Sequence, residues 1–262
     1  MKARCLLVLL LSIYSTCLGA KAAQDPRYVL ISQQQLVQKI RQTPLSSNEH
    51  LILIRRAASS GLSDVSFSEY SSRWQKSQDD AKTNLLRGLA AQRAMEANVR
   101  SPKQFSTNKS TYLGDIARSS LLRAYARGKA DPVTALSYGY YLWYWDHQEV
   151  RGLNLMLEAE KMAPNNSSVQ STLGSVYAES TRNVYNPQKA IEYSRTAIRL
   201  DPLFSNPHWT LARLYTYKLK QFQLAQKELN VFKNLLPPHI VGDPTIVSMQ
   251  SYIAKGLKQR SG

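Results

Sequence analysis

The sequence predicts an all-α fold, in which an irregular helical N-terminal region precedes helix pairs repeated along the chain. Two observations predict it. Apolar residues recur at three- and four-residue spacing while only 11 of 262 residues are glycine, which places the apolar groups on helix faces and gives strands little support. In the C-terminal half, small residues and prolines return at matched offsets in three successive segments, as a repeated supersecondary unit requires. At 262 residues and 43% hydrophobic composition, the chain can bury a core and does not resemble a disordered tail.

The first twenty residues read as a secretory signal peptide. Lys2 and Arg4 precede an uncharged run from Cys5 to Ala20 with the apolar centre LLVLLLSI, the order of charge and apolarity that such signals share. A spanning helix needs about 20 predominantly apolar residues, so this run is short for a membrane span, and cleavage is expected after Ala20 or Ala22. The alternatives are an uncleaved anchor, or a lipid anchor on Cys17, although Tyr14, Ser15 and Thr16 fit a lipoprotein cleavage box badly. The expected location is secreted or periplasmic. Both cysteines, Cys5 and Cys17, lie in this segment, so a cleaved chain has no disulfide, thiolate nucleophile or cysteine-bound metal.

Cleavage after Ala20 takes two basic residues from the 34, leaving 32 against 18 acidic ones and a formal charge of +14. Such a surface favours polyanions. For an exported protein these are anionic envelope polymers, lipid surfaces or acidic proteins; no compact basic run marks a nucleic-acid motif. The competing explanation is a solubilising charge spread over solvent-facing helices.

Leu30, Leu36, Val37 and Ile40 predict a first helix ending near Pro44. Ser47 is placed to cap a second helix through Leu51, Leu53, Ile54 and Ala57, closed by Gly61. A third is expected over 67–76 and a fourth over 81–97, through Leu85, Leu86, Leu89, Ala90 and Met95. Residues 101–111, SPKQFSTNKST, are polar and aperiodic, and read as a loop.

The repeats begin at residue 132. Gly139, Gly174 and Ala212 superimpose, with Tyr138, Leu173 and Leu211 just before them and Leu142, Tyr177 and Tyr215 three residues after. In the second helices Gly152, Ala190 and Ala225 share a register, followed by Ala159, Ala197 and Phe232 and then by Pro164, Pro202 and Pro237. Antiparallel helices approach closely where one presents Gly or Ala and the other fills the groove. The proline then ends the second helix, because it lacks a donor and clashes with the preceding turn. The middle copy carries three extra residues, which fall in its turn around 180–187. An insertion there costs little.

These residues resemble the tetratricopeptide repeat, a helix-turn-helix unit of about 34 residues with a Leu-Gly-x-x-Tyr core. The middle copy matches best, through Leu173, Gly174, Tyr177, Ala190, Ala197 and Pro202. The third has Phe232 where the family prefers alanine, and the first has Tyr138 and Leu142 for the expected Leu and Tyr. The resemblance covers residues 132–238, and a degenerate earlier copy pairs the helix containing Gly88 with one over 115–128, ending at Pro132. It implies a right-handed helical solenoid. The organisation is then a signal peptide at 1–20, a helical region at 21–131, three repeats at 132–238 and a capping helix at 239–262. Ile246, Met249, Ile253 and Leu257 give that last helix its apolar face, which covers the end of the stack.

The resemblance further implies that the first helix of each pair lines a concave groove for a protein or peptide partner. Projected onto this sequence, the groove residues are Tyr140, Trp143 and Tyr144, then Ser171, Ser175 and Glu179, then Trp209, Arg213 and Tyr217. Aromatic residues at such a surface offer contact area at low entropic cost. Some members of the family clamp a terminal carboxylate with several Lys, Arg and Asn residues, but here only Arg213 answers that description.

For catalysis the inventory is thin. His50, His147, His208 and His239 stand alone without a metal-binding spacing, and His147 beside Asp146 reads as a helix-end residue. There is no Gly-rich phosphate loop and no serine in a nucleophile elbow. The expectation is therefore an adaptor or scaffold with no catalytic residue, cofactor or metal. Its rivals are a basic-surface binder of anionic envelope polymer or lipid, and an enzyme built from residues distant in sequence.

Overall fold

The computed structural model describes residues 29–76, 79–100, 105–128, 131–179 and 182–259. The expected signal peptide at 1–20, with Cys5 and Cys17, lies outside them. The described chain is all-helical, without a strand, and divides into two compact units, Pro26–Met162 and one that contains Ala163–Gly262.

The first unit holds α1 (Gln33–Gln42), α2 (Glu49–Ser59), α3 (Ser63–Lys76), α4 (Ala81–Arg100), α5 (Thr107–Arg127), α6 (Pro132–Tyr144) and α7 (Glu149–Met162). Ser32 starts α1 with a reciprocal capping box to Gln35, which satisfies two backbone donors that a helix start leaves open. The other end of α1 is served from α3, where the Arg73 guanidinium donates to the carbonyls of Ile40 and Thr43. Between α2 and α3 the imidazole of His50 is wholly buried. Its Nδ1 meets the Tyr70 hydroxyl at 2.9 Å and its Nε2 the Pro44 carbonyl at 3.1 Å. Because the carbonyl can only accept, Nε2 carries the proton and Nδ1 accepts from Tyr70.

The expected helix pair around Gly88 is formed by α4 and α5, and a methyl group at Gly88 would lie 2.8 Å from the Leu121 side chain. α5 begins earlier than expected. Ser106 accepts from the Lys109 amide and so caps the helix at Thr107, turning half of the expected 101–111 loop into helix. α3 likewise starts at Ser63 rather than 67, and α4 runs to Arg100. α6 and α7 cross at two glycines, since a methyl at Gly152 would stand 2.6 Å from the Gly139 carbonyl oxygen. No side chain fits at that crossing. Asp131 caps α6 ahead of Pro132.

The second unit comprises α8 (Ser167–Tyr177), α9 (Pro187–Leu200), α10 (Ser205–Arg213), α11 (Phe222–Asn234), α12 (Pro238–Val241) and α13 (Pro244–Lys258). Asn166 caps α8, and Asn186 caps α9 ahead of Pro187. Gly174 faces α9 as Gly139 faces α7, its absent methyl 3.3 Å from the Ala190 carbonyl. In the third pair Ala212 and Ala225 take these places, both fully buried. α10 continues into a π-helical turn, Leu214–Lys218. α13 packs on α11 through Ile246, Met249, Ile253 and Gly256, and the Phe222 ring occupies the space a side chain at Gly256 would need.

One hydrogen bond repeats in all three pairs. The carbonyls of Leu142, Tyr177 and Tyr215 each accept, at 2.9 Å, from the amide of the residue that opens the second helix, namely Gln148, Asn186 and Gln221. These acceptors are the three positions that the sequence superimposes. The described helices include none long and apolar enough to cross a membrane.

Candidate partner-binding face

On the second unit, the sides of α8 and α10 that face each other form a polar row. Ser171 and Ser175 stand one turn apart on α8, and Asn206 and Thr210 one turn apart on α10. The Asn206 amide donates to the Ser171 hydroxyl at 2.9 Å, and the hydroxyls of Ser175 and Thr210 share a hydrogen bond of 2.9 Å. All four residues are buried, so each hydroxyl or amide needs a partner. Small side chains allow the two backbones to approach. The row ends in charge, with Arg213 Nη2 at 3.7 Å from Glu179 Oε2. Arg213 is half-buried. One turn further, on the π-helical segment, Tyr217 is exposed and its ring lies 5.6 Å from that of Tyr252. The wider π turn shifts Tyr217 around the axis from where a regular helix would place it.

Ser175, Glu179, Arg213 and Tyr217 fall along one row, but the expectation that it is open groove surface is corrected for Ser171, Ser175 and Glu179, which are buried, while Arg213 is half-buried and Tyr217 exposed. Trp209 does not offer itself as groove surface. It is 2% exposed, with its ring 4.9 Å from Phe232 of α11. Phe232 replaces the small residue of the other copies, and filling the space between α10 and α11 with two rings removes more apolar area from water than an exposed indole would. The Trp209 Nε1 is buried without a hydrogen-bond partner, consistent with a ring held for its apolar contacts.

On the first unit, Tyr140, Trp143 and Tyr144 form a cluster on α6. Tyr140 stacks on Tyr144 at 5.7 Å with planes 5° apart, while Trp143 lies 5.9 and 6.1 Å from these two rings. Tyr140 and Trp143 are each 3% exposed and Tyr144 is half-buried. The expectation that all three are open to a partner is therefore corrected for Tyr140 and Trp143. At i, i+3 and i+4 their rings reach one another. α6 is tied to α5 beside this cluster, where the Tyr141 hydroxyl donates to the Gly114 carbonyl at 2.8 Å and burial pushes its pKa up to about 12.

Sequence reasoning passed over Asn206 and Thr210. Their signal was available, because each lies 35 residues after its bonded serine, close to one repeat length. The single-arginine carboxylate contact is also modified, since Arg213 already faces Glu179. His208 pairs through Nδ1 with Glu228 at 2.7 Å between α10 and α11. His147 occupies a left-handed turn with φ 56° rather than a helix end. No protein-family model matches the chain, and neither does any curated protein.

Proposed function

We propose that the chain is an exported adaptor of the tetratricopeptide-repeat type, its helix pairs wound as a right-handed solenoid, that recruits a protein or peptide partner. The observation that carries the reading is the row Ser171, Ser175, Asn206 and Thr210 ending in Glu179, Arg213 and Tyr217. Its buried part holds the two inner helices close with their polar groups satisfied. Its far end keeps a half-buried guanidinium in loose contact with a carboxylate, beside an exposed aromatic ring. A partner carboxylate or backbone carbonyl can compete for Arg213 at this end, where a charge-assisted bond is strong, while Tyr217 adds contact area.

The test is an affinity pull-down by the processed chain from its own envelope extract at low and high salt, beside the double variant Arg213→Ala, Tyr217→Ala. Trp209 is left intact because it is core. The adaptor reading expects one protein retained at high salt and lost from the variant at unchanged melting temperature. Retention that vanishes with salt and ignores the variant would sink it, because screened surface charge alone behaves so.

A further inference from the structure

On the first unit we infer a phosphate-binding site at Trp74, where Arg87 and Arg123 converge on one indole ring and neither makes an ion pair among the described residues. The Arg87 guanidinium carbon stands 4.0 Å from the ring centroid and that of Arg123 5.8 Å. The ring itself is fixed. Trp74 Nε1 donates to Asn84 Oδ1 at 3.1 Å, and the Asn84 amide donates to Asp79 Oδ1 at 2.5 Å and to the Asp80 carbonyl at 2.8 Å.

The nearby acids are committed elsewhere. Asp79 accepts from Arg127 at 2.6 Å, and the Asn84 hydrogen bond, then the charges of Arg127 and Arg123, hold its carboxyl below the usual range. Asp80 accepts from the Thr83 amide and hydroxyl at 2.8 and 2.6 Å, closing the start of α4. That leaves two cations. Arg87 is half-buried and, among the described residues, donates to the neutral Ser120 hydroxyl at 3.2 Å. Burial lowers its pKa, and the charge of Arg123 lowers it further. Arg123, exposed on α5, makes no ion pair among the described residues.

Two like-charged guanidiniums at one aromatic ring are held there by cation–π attraction, worth roughly 0.5–1 kcal/mol at exposed sites, and by the charge of Asp79 nearby. An anion with several oxygens offers acceptors to both guanidiniums. A phosphate group fits by charge as well, since it brings negative charge on several acceptor oxygens to two positive groups. The sequence suggests a diffuse preference for polyanions from net charge. The structure assigns that preference to one place, with a rigid ring, one half-buried and one exposed arginine.

The experiment is fluorescence anisotropy of fluorescein-labelled polyphosphate with the processed chain at about 0.15 M salt, repeated with Arg123→Ser and with Lys161→Ser. Lys161 is an exposed lysine on α7, so its loss removes the same charge elsewhere on the unit. Removing one charge-assisted contact is expected to weaken binding about tenfold, while the lysine variant changes it less than about twofold. Flotation with phosphatidylglycerol vesicles, with phosphatidylcholine vesicles as the control, separates a lipid headgroup from a soluble phosphopolymer. Loss on Arg123→Ser in either arm supports the site. Equal losses for both variants, or no binding in either arm, overturn it and leave the charge as a solvated face. The adaptor reading is untouched by either result, because Arg123 lies outside the α8–α10 row.

Discussion

Burial shifts the titration of His50. Burial first, and then the positive charge of Arg73, hold its pKa below the ordinary 6.5. A base with a depressed folded-state pKa takes up its proton more readily when unfolded, so its contribution to stability is complete above 6.5 and is lost as the pH falls through the folded value. The geometry gives the reason. Protonated Nδ1 becomes a donor facing the Tyr70 hydroxyl, which must then turn its own proton away inside the core. Urea midpoints measured between about pH 5 and pH 8 should fall toward the acid end, and by less in His50→Asn than in the parent chain. Parallel profiles for the two proteins would show that His50 does not contribute. Nothing in the sequence marked this pair. His50 and Tyr70 are 20 residues apart, and a lone histidine on a helix carries no sign of its burial. By contrast, Gly139 and Gly152 were legible, because close helix crossings exclude side chains and the exclusion leaves a residue type behind.

At the scale of the helix pair, the repeats show why some geometry was readable and some was not. The three superimposed small residues all lie at crossings, and the three equivalent carbonyls all accept the same turn amide. The turns between the paired helices carried less information. In the first and third pairs the residue before the opening amide is left-handed, His147 at φ 56° and Lys220 at φ 53°, and neither is a glycine or asparagine that would have announced it. The middle pair has three more residues in this turn and needs no such conformation among the described residues. Lys220 therefore bears a local strain that glycine would relieve, of order 1 kcal/mol. Against this stands its exposed hydrogen bond to the Tyr252 hydroxyl, a small loss at the surface. Lys220→Gly is expected to melt at or above the parent temperature, whereas the β-branched Lys220→Val should lose about 2 kcal/mol. A valine variant as stable as the parent would mean that the turn relaxes freely. The same limit hid the start of α5, where a capping serine did what no apolar period indicated. It also hid the burial of Trp209, which depends on Phe232 across the pair.

For the whole molecule, composition was read before any element and makes a prediction that no fold detail alters. If residues 1–20 are a signal and are removed, both cysteines leave with them, and the stability of the exported chain rests on noncovalent interactions. Helix pairs suit this condition, because each added pair buries a further apolar face against its neighbour and needs no covalent staple to close a small core. In an oxidising compartment, where exported domains often gain stability from disulfides, such a chain is indifferent to redox conditions. Protein purified from its native host is therefore expected to give zero reactive thiols in denaturant and an intact mass that begins at residue 21 or 23. Its melting temperature should also be the same with and without reductant. Two thiols and a mass that includes residue 1 would refute cleavage and return the uncleaved anchor. A mass that begins at Cys17 with an added acyl group would instead establish the lipid anchor.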